Sequence, residues 1–162
     1  MAIEVRRAEP VEFAEAGSVT AAAYREFVDG TEWSSYLDTI ADVGSRADRT
    51  EIIIAMDGGA IIGSATLELD GRTSPGEGPL EPHRAHIRML GIHPEARGRG
   101  AARALMAACE DRARGAGRTI LTLNTTERMR TAKTMYERLG YVRGPDEVMP
   151  DGFVLLNYSK QL

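Results

Sequence analysis

The segment that most constrains this chain is Arg97-Gly98-Arg99-Gly100-Ala101-Ala102, which joins an apolar strand pattern to an alanine-rich helical one. Upstream, Ile87-Arg88-Met89-Leu90-Gly91-Ile92 reads as a strand that His93-Pro94 ends. Downstream, Ala101, Leu105, Cys109 and Ala113 recur at helical spacing. A strand that becomes a helix through glycines exposes several backbone N–H groups at the positive helix end, a ready site for phosphate. Arg97, Arg99 and Arg103 add full charges beside that terminus. A diphosphate ligand is the expectation, with a plain tight turn as the alternative.

The common nucleotide motifs do not fit. A P-loop needs Gly-Lys-Ser/Thr after its glycines, and no such tripeptide follows here. A dinucleotide fingerprint wants a third glycine where this chain has Arg103. It also wants an acid after the next strand, and Thr119-Ile120-Leu121-Thr122-Leu123 ends in Asn124.

A second block lies downstream. Met129, Ala132, Met135, Tyr136 and Leu139 share a helical face, and Gly140 is a natural residue just past that helix's end. Taken together, Arg97-x-x-Gly100-x-Ala102 and Ala132-x-x-x-Tyr136-x-x-x-Gly140-Tyr141 resemble the GNAT superfamily of acyl-CoA-dependent N-acetyltransferases. The likeness covers residues 84–142, with Tyr141 standing where the family has Phe and Met129 where many relatives have Asn.

Composition agrees with one globular unit, since 43% of the residues are hydrophobic and 27% charged. We expect residues 1–162 to form a single N-acetyltransferase domain. A net charge of −4 argues against general nucleic-acid binding. The single cysteine excludes an internal disulfide and suits a reducing cytoplasm, and no membrane span is expected. Metal-ligand spacing is absent as well.

Along the rest of the chain, Ile3 to Arg6 alternates like an edge strand, and Val11 to Val28 reads as a helix. Trp33 to Val43 is a shorter helical stretch. Glu51 to Met56 and Ala60 to Leu69 are apolar strands joined at Asp57-Gly58-Gly59, a hairpin signal. Loops follow at Asp70 to His83 and at Gly144 to Gly152, and Phe153 to Tyr158 is a closing strand. The fold class expected is α/β of the α+β type. Its centre is a mixed, mostly antiparallel sheet of about six to seven strands with helices on both faces.

The resemblance implies acetyl-CoA as co-substrate, an amine on a small molecule or peptide as acceptor, and direct attack without a covalent enzyme intermediate. It implies that Leu90 and Ile92 hold the pantetheine arm and that the N–H of Leu90 or Gly91 is the oxyanion donor. By the same likeness Gly98 through Arg103, with Arg97, hold the pyrophosphate, and Tyr136 is the acid for the leaving thiolate. Packing alone also explains Tyr136 on its apolar face. For the base, His86 and a water wire stay open; the asparagine at position 124 cannot take a proton. Arg88 either binds an acceptor carboxylate or pairs with Glu68 or another acid. A homodimer is common among such relatives, and a non-catalytic acyl-CoA-binding module on the same fold is the competing reading.

Overall fold

The computed structural model describes residues 2–28 and 34–162. Trp33 therefore lies outside the described residues. The strands are β1 (Glu4–Arg7), β2 (Glu51–Asp57), β3 (Ala60–Glu68), β4 (Arg84–Ile92), β5 (Ile120–Thr125), β6 (Val142–Arg143), β7 (Glu147–Val148) and β8 (Val154–Gln161). The α-helices are α1 (Phe13–Tyr24), α2 (Ser34–Ala41), α3 (Ala101–Gly115) and α4 (Arg130–Arg138). The sheet runs β1-β2-β3-β4-β5-β8-β6, with β7 also on β8. Its neighbours are antiparallel except β4 and β5, which are parallel.

Apolar residues on both sides of a strand call for cover on both sides. In β2, Ile53 and Ala55 join the core beneath α3, together with Leu105, Met106 and Cys109. Ile52 and Ile54 turn the other way, onto Ala16 and Val19 of α1. The helices therefore clamp the sheet from two faces, as the sequence pattern implied.

Several boundaries differ from those expected, the closing strand β8 among them, which runs on to Gln161. The helix expected from Val11 to Val28 is shorter, because three-residue 3-10 turns at Pro10–Glu12 and Arg25–Phe27 flank α1. β4 starts at Arg84 rather than Ile87, its polar residues alternating with buried Ala85 and Ile87. β6 and β7 are two residues each, too short for a periodic signal, and β7 sits inside the stretch read as a loop.

The feature that makes room for a site is a break in β4. The β3–β4 register shifts between Ser64 and Thr66, and Met89 carries a positive φ of 53°. Such a bulge bends a strand and increases its twist. Pairing of β4 with β5 stops at Ile87↔Leu123, although β4 continues to Ile92 and β5 to Thr125. Below that point the strands are neighbours; above it they part.

Candidate functional site

Above the parting, β4 has a bonded edge and a free one. His93 N–H donates to Ile62 C=O (2.8 Å), which puts Ile92 in a position whose own N–H and C=O face away from β3. That direction is the gap left by β5. Leu90, Gly91 and Ile92 all line a cleft of about 690 Å³ that opens there.

The turn after β4 forms the next wall. Gly98 and Gly100 both sit in the left-handed region, with φ of 81° and 86°, which is open to glycine at no steric cost. Gly100 is the N-cap of α3 and makes no side-chain cap, so the first-turn amides are left to the cleft. Gly100, Ala101, Ala102 and Arg103 line it. The arginines divide their duties. Arg97 donates to Ala23 C=O (3.3 Å) and pairs with Glu26, tying the turn to the end of α1. Arg99 turns to Asp57 of the hairpin (3.0 Å), outside the cleft, so only its backbone remains near the turn. Arg103 is exposed at the rim and has no ion-pair partner among the described residues.

Tyr136 closes the opposite wall. Helix α4 ends in a pair of bonds, Tyr141 N–H to Tyr136 C=O (3.0 Å) and Gly140 N–H to Glu137 C=O (3.1 Å). This is the six-to-one and five-to-two pattern that a left-handed glycine permits, and Gly140 has φ of 94°. The pattern brings Tyr136 and Tyr141 edge to face at 6.1 Å. Tyr141 spends its hydroxyl on Glu110 (3.0 Å), whose other oxygen takes Lys160 (3.0 Å). That explains how a tyrosine is accommodated where the family pattern has phenylalanine. Tyr136 is 5% exposed, lines the cleft, and its hydroxyl has no hydrogen-bond partner among the described residues. Burial pushes its phenol above the usual range, so the group stays protonated at neutral pH.

Sequence reasoning missed part of this cleft. Arg128, Arg130 and Arg138 around α4 line it. The arginines lie off the apolar stripe of α4, and that off-stripe position was the available signal. Met129 also lines the cleft, at the N-cap of α4.

His86 is elsewhere. It sits in the paired half of β4, opposite Glu68 and Thr122, and does not line the cleft. It is buried, with Nδ1 2.6 Å from Thr122 Oγ1. Burial, then the charges of Arg88, Arg84 and Arg72, push its pKa down to about 3. Arg88 pairs with Glu77 and lies 3.7 Å from Glu68, the acid-pairing alternative. Cys109 is fully buried and its thiol is pushed up to about 12, which keeps it inert. Among the described residues no cluster of His, Cys, Asp and Glu could hold a metal ion, and no helix is long and apolar enough to cross a membrane.

Comparison with known proteins agrees with this geometry. Residues 18–141 match the acetyltransferase (GNAT) family. The fold is similar to that of a GCN5-related N-acetyltransferase from Rhodopseudomonas palustris, with 23% identity, a TM-score of 0.74, and coverage of 100% of this chain and 99% of that one. It is also similar to yncA from Salmonella typhimurium, solved with its cofactor acetyl-CoA, at 16% identity and TM-score 0.73 over 100% and 95% of the two chains. A ribosomal-protein-alanine N-acetyltransferase from Brucella melitensis matches at 20% identity and TM-score 0.68, over 98% and 99%.

Proposed function

This chain belongs to the acetyltransferase (GNAT) family, and from that premise we propose that residues 1–162 form one N-acetyltransferase domain, which moves an acetyl group from acetyl-CoA to a primary amine. One observation carries the reading. The unpaired edge of β4, the uncapped start of α3 and the unpartnered Tyr136 hydroxyl all meet in a single cleft.

Each wall has a task on this reading. Leu90 and Ile92, with Gly91 between them, offer the free edge of β4 to an extended amide-bearing arm, in the manner of an added strand. The amides from Gly98 to Arg103 receive the diphosphate, with Arg97 bracing the turn and Arg103 at the rim. The amine nitrogen bonds to the thioester carbonyl carbon, and the oxygen that gains charge is met by N–H of Leu90, since Gly91 pairs with Ser64 of β3. As the C–S bond breaks, Tyr136 gives its proton to the departing sulfur. An alkyl amine is only about one part in a thousand neutral at pH 7, so a proton must leave it beforehand. Water carries that proton out, because His86 is buried outside the cleft and binds protons weakly.

Melting temperature measured beside acetyl-CoA, CoA, NAD and ATP tests the cofactor half of the proposal. A ligand at a hundred times its dissociation constant stabilises the native state by about 2.7 kcal/mol. We expect acetyl-CoA and CoA to raise the midpoint and NAD and ATP to leave it unchanged. A shift with NAD or ATP alone would mean that the turn binds a different diphosphate.

A further inference from the structure

A second pocket, of about 330 Å³, lies on the sheet face opposite α3 and α4. Leu121 and Leu123 of β5 face the core, so Thr122 and Asn124 face the other way; in β8, Leu156 and Tyr158 alternate likewise with Asn157 and Ser159. Arg84 of β4 and Glu147 of β7 complete the lining. Asn124 is the first β5 residue beyond the last β4–β5 pair, so the pocket reaches the point where the strands part.

The hydrogen bonds fix which groups this pocket leaves open. Asn157 Nδ2 donates to Pro145 C=O (2.8 Å), so its amide oxygen faces Asn124 and accepts from Asn124 Nδ2. Asn124 Oδ1 is thereby left, among the described residues, as a bare acceptor at the parting. Arg84 is anchored by Nε donating to Thr122 Oγ1 (3.0 Å), and its two terminal nitrogens have no partner among the described residues. The Glu147 carboxylate has no partner among them either. One open guanidinium and two open acceptors share a space of small-molecule size.

We infer that this pocket holds the acceptor, and that the acceptor is a free amino acid: Arg84 takes its carboxylate, while Asn124 Oδ1 and Glu147 take its amine and aim it at the parting of β4 and β5. The inference rests on the acetyltransferase reading above. An anchored guanidinium matches a carboxylate with two parallel bonds and repels a second cation, so polyamines are poor ligands. Asn124 orients the nitrogen without accepting its proton. Arg143 and the loop acids Asp146 and Asp151 do not compete for the ligand. Asp146 is paired with Arg143 (3.0 Å), and Asp151 accepts from Phe153 N–H (2.9 Å).

The test is CoA release and equilibrium binding across matched pairs of amino acids and the amines left when their carboxylate is removed, with spermidine as a third class. The wild type should favour each amino acid over its matched amine by about tenfold or more in kcat/KM, the scale of a charge-assisted hydrogen bond. Arg84→Gln should raise KM for amino acids about tenfold, leave the matched amines unchanged, and leave KM for acetyl-CoA unchanged. Glu147→Gln, on an exposed position, should weaken both classes equally. Equal use of amines and amino acids, or equal effects of Arg84→Gln on both, overturns the inference while acetyl transfer stands. Acetyl-CoA binding with no amino acid bound or acetylated overturns it too. Failure of acetyl-CoA itself to bind removes the acetyltransferase reading, and this inference with it.

Discussion

Strands β4 and β5 are two different devices along one length. From Arg84 to Ile87 they pair in register, and the side chains between them are held in place: His86 against Thr122, Arg84 against Thr122, each buried or half-buried. From Met89 onward β4 has no strand partner on that side among the described residues, and its chemistry passes from side chains to bare backbone. A paired strand spends its N–H and C=O groups on its neighbour, while a parted one offers them to a ligand. The titratable histidine thus lies in the half where pairing silences it. The site lies in the other half, where Tyr136, from another element, brings its hydroxyl to the cleft.

The largest expected effect probes the parted half. Replacing Tyr136 by Phe keeps the edge-to-face contact with Tyr141 and deletes the hydroxyl alone. Steady-state kinetics should show kcat lower by about a hundredfold, with KM for acetyl-CoA unchanged, because proton transfer acts in the transition state. An unaltered kcat across pH would return Tyr136 to the core.

The turn comes next. Gly100→Val places a β-branched residue at φ of 86°, where side chains are strained, and fills the approach to the α3 amides. Calorimetric titration of CoA should show at least a tenfold loss of affinity, about 1.4 kcal/mol. A folded variant with unchanged affinity would defeat the diphosphate role of the turn.

The smallest effect belongs to the paired half. In the folded protein His86 titrates at about 3, below its ordinary value of 6.5, so the unfolded chain binds the extra proton. The stability from keeping it neutral is complete above about pH 6.5 and is lost as the pH falls towards 3. The limiting slope is about 1.4 kcal/mol per pH unit for one proton. In His86→Gln the fall in melting temperature between pH 7 and pH 5 should be shallower than in the wild type, while the acid limb of kcat/KM is retained. Loss of that limb would make His86 the base after all.

Much of the molecule was legible because the signals are local. The turn glycines, the apolar stripe of α3, the glycine after α4 and the hairpin at Asp57 each depend on a few neighbouring residues, and each is where the pattern put it. The two-residue strands β6 and β7 were not legible, since so short a segment carries no period. Nor was Arg99 among the cleft arginines: its partner Asp57 is 42 positions away in the chain, and only packing brings the hairpin to the turn.

By itself the sequence determined the order of elements, the glycine turn before α3 and the tyrosine at the end of α4, because backbone conformation and periodicity are short-range properties. The tertiary structure alone decided where β4 leaves β5, that His86 is neutral and walled off, and that Asn124 presents its oxygen. Each of these turns on which distant residues share a space, and the free energy of a charge or an open hydrogen-bonding group is set by those neighbours.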